Sequence, residues 1–553
     1  MKKKLLFASL LTAFALSASA QGYKDGIEYY KAGQYTNALE LLNRNLNDPS
    51  TDKSMANYYL GQATLAKSFI AAKNDSTGRT HFNPLAAKQY FDAGVAANAE
   101  NPYNYVGLGE IELFNKNKGA AEDYFKKAKN LAKKNYSVLV DIARAYYMVD
   151  PVGYRQTVDK YLAEVDKKSK YQEPSAFILR GDIEFDEEKF ADGIASFEQA
   201  INFDPNNSEG YVRYADSYFY HNPQFAIQKL EEYLAKNPNS ALVQRELAKK
   251  YYSKGEYTKA AKLYGEYIQN PNHFPEDESQ YALLALSNKD YDTALKYGIA
   301  NYKTTKELSD KLTLSHVIVA ALQAQGKNAE ALAYEKEYFN MPEAQEYIRP
   351  SDYQIYADLL SANNDSTGLN VIVEGIKKFP NDPSLYYAAS KASYAAKNYA
   401  DAGDYLEKAL ENTPEFKANN YFTCAQYFQF AADEALEAND PAKATEYANK
   451  AVDMLDKIIN NGNDNYLYYY YRALSKNMAN NNQLTDSSVA DLEATVAQMD
   501  KNPELANPAN PKNELKRYSA IYSNLVNYYK TRDKEKSEAA SANHKRIADL
   551  LAK

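Results

Sequence analysis

The chain has 553 residues, a formal net charge of −8, 52 tyrosines, no tryptophan and a single cysteine. An acidic chain lacks the basic surface that nonspecific nucleic-acid binding needs. One cysteine excludes an intrachain disulfide, so the stability of so long a chain rests on packing.

In chain order, Lys2, Lys3 and Lys4 precede an apolar run over residues 5–16, and Ala18, Ser19 and Ala20 place small residues before Gln21. This reads as a secretory signal over residues 1–20, the run being too short to span a bilayer. Its removal takes three lysines and no acids, and the net charge falls to about −11. No cysteine follows the run, so the usual lipoprotein acylation site is missing. No later segment approaches 18 apolar residues, and no transmembrane segment is expected after signal removal.

From residue 21 onward apolar residues recur at three- and four-residue steps, with sparse glycine and proline between the runs. An all-α chain is predicted. The pattern repeats: Phe177, Gly181, Phe190, Phe197, Ala200 and Pro205 are followed, after about one 34-residue period, by Tyr211, Ala215, Tyr218, Leu230 and Pro238. Small residues at two places let paired helices approach closely, and a bulky residue after the second fills the gap. Asp204-Pro205, Asn237-Pro238 and Asp382-Pro383 are expected to cap and start helices.

Further copies stand at Gly26, Tyr29, Gly33 and Tyr35; at Tyr105, Leu108, Gly109, Ala121, Phe125 and Ala128; and at Leu247, Ala248, Tyr251, Gly255, Tyr257 and Ala260. On these residues the chain resembles the tetratricopeptide repeat family over nearly its whole mature length. The resemblance implies a right-handed α-solenoid of about 12–14 antiparallel helix pairs. Residues 21–460 are read as the repeat array and 461–553 as divergent helices that cap it, a separate small helical domain being the alternative. The basic tail, with ten Lys/Arg against five Asp/Glu over residues 512–553, reads as a solvated helix pair.

In that family the first helix of each pair lines a hollow face at places 2, 5, 9 and 12. Carried onto the best copies, those places give the expected partner-binding residues Glu110, Asp182, Phe185, Asp216, Phe219, Arg245, Lys249, Tyr252, Lys391 and Tyr394. The twelfth place is repeatedly aromatic, and the ninth changes from acidic to basic. An extended or helical peptide would suit such a face. Contact between neighbouring first helices explains the same residues.

Catalytic signals are poor. Five scattered histidines form no zincin motif, Val106-Gly107-Leu108-Gly109 follows no strand, and Cys424 sits in an apolar helical stretch. No catalytic residue, cofactor or metal site is expected. Asp75-Ser76-Thr77, Asp365-Ser366-Thr367 and Asp292-Thr293-Ala294 resemble a short O-glycosylation motif of Gram-negative envelope proteins, which marks Ser76, Ser366 and Thr293 as acceptors. Asx-rich turns explain them equally well. The expectation is a non-enzymatic periplasmic scaffold binding envelope proteins or peptides, with room for peripheral association with outer-membrane complexes. The alternative is a glycan-binding helical-repeat protein, SusD-like or peptidoglycan-associated, although the lipid-modified cysteine and tryptophans of such proteins are missing.

Overall fold

The computed structural model describes residues 22–75 and 82–552. The expected signal over 1–20 and the candidate acceptor Ser76 lie outside them. The chain divides into two compact units, Met1–Ala321 and Leu322–Lys553.

The first unit is a run of antiparallel helix pairs. They are α1 (residues 22–31) with α2 (Tyr35–Asn45), α3 (Lys53–Asn74) with α4 (Leu85–Ala97), α5 (Pro102–Phe114) with α6 (Lys118–Ala132), and α7 (Ser137–Val149) with α8 (Arg155–Ser169). Then come α9 (Pro174–Asp186) with α10 (Phe190–Phe203), α11 (Ser208–Tyr218) with α12 (Pro223–Lys236), α13 (Ala241–Ser253) with α14 (Tyr257–Tyr267), and α15 (Glu276–Ser287) with α16 (Tyr291–Thr304). One continuous apolar core runs through them from Tyr29 to Leu284.

Helix α17 (Leu308–Ala324) carries the chain across the division, and α18 (Asn328–Asn340) follows. The second unit continues with α19 (Pro350–Ala362), α20 (Gly368–Lys378), α21 (Pro383–Ala395) and α22 (Tyr399–Glu411). Two 20-residue helices come next, α23 (Ala418–Glu437) and α24 (Pro441–Asn460), then α25 (Tyr466–Ala479), α26 (Asp486–Met499), α27 (Leu515–Tyr529) and α28 (Lys534–Leu551). Residues beyond 461 form helix pairs with a core of their own around Leu492, Tyr518 and Ile521. Among the described residues there is no strand, and no helix is long and apolar enough to cross a membrane. The fold is an all-α array of antiparallel helix pairs.

The large–small rule of the repeat is visible atom by atom. A Cβ on Gly109 would lie 2.4 Å from Phe125 Cε1, and one on Gly181 would lie 2.4 Å from Phe197 Cε1. Within a pair the glycine of the first helix is therefore the socket for the phenylalanine of the second. In the second unit Gly403 of α22 receives Phe428 of the following helix α23, a like contact made between pairs. The turn within a pair is also regular, since a residue in the left-handed region recurs there, as at Gly33, Lys116, Glu188, Gly255 and Lys397.

The capping expectation holds at one of its three places. Asp382 caps α21, accepting from Ser384 N at 2.9 Å, with Pro383 at the first helical position. Pro205 and Pro238 instead lie in the preceding turns, and the helices are capped by Asn207 and Ser240. The physical reason is local: Asp204 spends its carboxylate on Asn206 N (3.1 Å) in an Asx turn, which postpones the helix start.

Phe125→Ala empties one such socket. It is expected to cost about 3–5 kcal/mol, read as a lower urea midpoint for the first unit.

Candidate functional site

In the first unit the inner face of the array is occupied by the chain's own first helix pair. Tyr29 is fully buried and meets the edge of Phe274 at 5.1 Å. Asp25 is fully buried and accepts from Asn272 Nδ2 at 2.7 Å. Glu28 accepts from Ser240 Oγ at 2.7 Å. Gln34 donates to Glu246 at 2.7 Å, and Arg245 donates to Gln34 at 3.3 Å. Arg213 donates to the carbonyl of Lys31 at 3.3 Å. These contacts join residues some 180 to 250 positions apart, so α1 and α2 close the unit against α11 to α15.

Neighbouring helices engage most of the expected partner-binding residues of the first unit. Glu110 is 2% exposed and accepts from Gln62 Nε2 at 2.8 Å. Burial pushes its carboxyl up to about 7, against the lowering effect of that hydrogen bond. Arg245 is buried in a bidentate pair with Asp277, at 2.6 and 3.0 Å, and lies over the Phe274 ring. Tyr267 OH donates to the same carboxylate at 3.0 Å. Asp182 accepts from Arg144 at 2.8 Å, with Arg213 at 3.7 Å. Asp216 pairs with Lys250 at 2.5 Å, whose ammonium covers the ring of the buried Phe219. Lys249 reaches Glu246 at 3.2 Å. Phe185 stacks on Phe197, and Tyr252 packs against Tyr257 with part of its ring in solvent. The charges on successive first helices thus serve largely to tie those helices to one another.

Inside the closed unit remains a cavity of about 460 Å³. Tyr30, Tyr35, Tyr58, Tyr59 and Tyr103 wall it, and Asp141, Arg144, Asp182, Glu209 and Arg213 put charge into it. Burial raises Asp141 to about 6, although Arg144 and a hydrogen bond from Tyr58 OH (3.0 Å) act the other way. Burial also works against the charge of Arg144, but Asp182, Glu209 and Asp141 outweigh it and raise its pKa. Burial pushes the hydroxyls of Tyr30, Tyr58 and Tyr59 well above the ordinary phenol range.

The charged set was partly within reach of the repeat register. Arg144 lies one 34-residue period after Glu110, at the ninth place of an unaligned copy. Counting back from Val212 puts Glu209 at the second place. Asp141 and the tyrosines of α1 and α3 come together only through the closure.

In the second unit the corresponding places are open. Lys391 is exposed on α21, and Tyr394, 41% exposed, stacks on Tyr427 of α23 with ring centroids 4.6 Å apart. Tyr399 adjoins Tyr394 at 5.6 Å and Phe430 at 5.3 Å, and Phe430 is also 41% exposed. Cys424 is fully buried and burial pushes its thiol far up, so it offers no thiolate at neutral pH. No group of three or more His, Cys, Asp or Glu among the described residues is placed to hold a metal. Ser366 is exposed in the turn before α20, where Asp365 accepts from Thr367 N and Oγ1 (3.0 and 2.6 Å) as an Asx turn does. Thr293 lies in the first turn of α16, its amide bonded to Asp290.

No protein-family model matches the chain, and no curated protein does. Among solved structures it is similar to the C-terminal part of a TPR repeat-containing protein from Cytophaga hutchinsonii, with 15% identity over 49% of this chain and 99% of that one, TM-score 0.32. It is also similar to PilF of Pseudomonas aeruginosa, with 18% identity over 38% and 95% of the two chains, TM-score 0.29. A tetratricopeptide repeat protein from Parabacteroides merdae shares 15% identity over 55% and 99%, TM-score 0.26.

A raised carboxyl pKa means that the folded state keeps a proton the unfolded chain gives up. The contribution of Glu110 is therefore fully present below its ordinary value near 4.3 and is lost as pH rises through about 7. Glu110→Gln is expected to narrow the gap in melting temperature between pH 5 and pH 8 relative to the unchanged protein, as followed by circular dichroism.

Proposed function

We propose that the protein is an exported, non-enzymatic scaffold whose second unit holds a segment of an envelope protein on the α21–α23 face. The observation that carries this reading is the aromatic step in which Tyr394 and Phe430 are exposed and Tyr427 and Tyr399 half-buried, beside the exposed Lys391. Aromatic anchors flanked by a selective charge are what protein interfaces concentrate their energy in. The first unit supports the reading by example, because its inner face receives an amphipathic helix that brings Tyr29 as an anchor and Asp25 and Glu28 as acidic contacts. A basic residue beside an aromatic step suits a partner segment of the same kind, apolar with an acidic group. The signal-like residues 1–20 support a periplasmic location.

The test is cross-linking in native cells followed by affinity purification and mass spectrometry. Specific envelope proteins are expected, with cross-links at or near Lys391. The double variant Lys391→Glu/Tyr394→Ala should weaken their recovery roughly tenfold or more, because hot-spot truncations cost about 2 kcal/mol or more. Unchanged recovery, or retention on insoluble glycan with no protein captured, would overturn this reading.

The intact mass of the exported protein checks two further points. Loss of residues 1–20 is expected, and added hexose masses on peptides holding Ser76, Thr293 or Ser366 would report glycosylation.

A further inference from the structure

The cavity of the first unit has polar groups of two kinds on its wall. The charges are matched within the protein. Arg144 and Arg213 share Asp182, and Glu209 faces both guanidinium groups. Asp216 pairs with Lys250, while Asp141 and Asp186 accept from Tyr58 OH at 3.0 Å and Tyr147 OH at 2.7 Å. Two neutral hydroxyls are not matched. Tyr59 is 7% exposed, and its hydroxyl has no hydrogen-bond partner among the described residues; nor has that of Tyr35. Both oxygens keep accessible surface, and both residues line the cavity. Burial raises both phenols, and the charges of Asp141, Glu209 and Arg144 act on Tyr59, those of Arg213, Arg144, Asp182 and Glu209 on Tyr35. The two hydroxyls therefore stand beside the charged wall.

Buried polar groups are normally satisfied, and a phenol hydroxyl can both donate and accept. The groups left for a ligand are thus neutral and two-sided. A charged ligand would bring a charge whose counterpart is already taken, which is costly away from bulk water. The rings of Tyr30, Tyr35, Tyr58, Tyr59 and Tyr103 suit an apolar face, and a volume of about 460 Å³ is that of a small-molecule site. A pyranose ring combines these properties. It has apolar C–H faces, a rim of hydroxyls that donate and accept, and no net charge.

We infer that the cavity binds a neutral saccharide of one or two pyranose rings, its hydroxyls bonded to those of Tyr59 and Tyr35 and its C–H faces against the tyrosine rings. Tyr35 and Tyr59 come from α2 and α3, and the charged wall beside them from α7, α9 and α11, so the site is complete only in the closed unit. A free amino acid or short peptide fits less well, because its termini add charges of both signs. This inference is independent of the partner face on α21–α23.

Isothermal titration of the full mature chain, with glucose, N-acetylglucosamine, N,N′-diacetylchitobiose and glucuronate as probes, tests it. At least one of the neutral sugars should bind saturably at one site. Glucuronate, a pyranose with an added carboxylate, should bind roughly tenfold more weakly than the best neutral probe, or worse. Tyr59→Phe keeps the ring and removes the hydroxyl, and should weaken that probe about three- to tenfold, the loss of one hydrogen bond. Its melting temperature should be maintained, since the hydroxyl bonds nothing in the protein. Tyr35→Phe is the second variant should the first not fold. No binding of any neutral sugar at millimolar concentration, preference for glucuronate, or equal affinity of both variants and the unchanged protein would each overturn the inference.

Discussion

The contact on which the rest depends is a phenylalanine ring pressed onto a glycine backbone. Phe125 on Gly109 and Phe197 on Gly181 are the same joint repeated within a pair, and Phe428 of α23 on Gly403 of α22 makes a like contact between pairs. Close packing at interior density makes each joint specific, because even one methyl group on the glycine would collide with the ring. No single helix pair can bury its apolar face, so each joint also sets where the next pair stacks. The continuous core from Tyr29 to Leu284 is the sum of these local decisions.

Closure of the first unit follows from that stacking and adds a second kind of chemistry. Tyr29 supplies the apolar anchor, but Asp25, Glu28, Gln34, Arg213 and Arg245 supply polar contacts with the far side of the unit. Buried charges are tolerable when paired, and Arg245 with Asp277 shows the condition met in full, with two hydrogen bonds between them and a third from Tyr267. At the cavity wall the pairing is looser: Glu209 faces Arg144 and Arg213 and helps to raise the pKa of both guanidinium groups without a bidentate bond.

The same contrast distinguishes the two units. In the first, several places that a repeat array offers to partners are taken up by the chain itself or by neighbouring helices, as with Glu110 and Gln62 or Asp182 and Arg144, while Tyr252 keeps part of its ring in solvent. In the second, Lys391 and Tyr394 occupy equivalent places and remain in contact with solvent. Equivalent register therefore does not mean equivalent availability, because availability depends on what packs on top.

Periodicity alone determined the all-α class, the pairing of helices and the sockets at Gly109 and Gly181, since these rest on contacts within about one repeat. It also located the helix faces on which Glu110, Asp182, Arg245 and Lys391 stand. It misplaced the helix starts near Pro205 and Pro238, where an Asx turn competes with the cap and only local geometry settles the contest. Only the tertiary structure decided that α1 returns to α11–α15, that the charges on first helices pair with one another, and that Asp141, Glu209 and five tyrosines share one cavity. The reason is the range of the interactions: a repeat encodes contacts between neighbours, whereas closure joins residues some 200 positions apart through the curvature accumulated along the array.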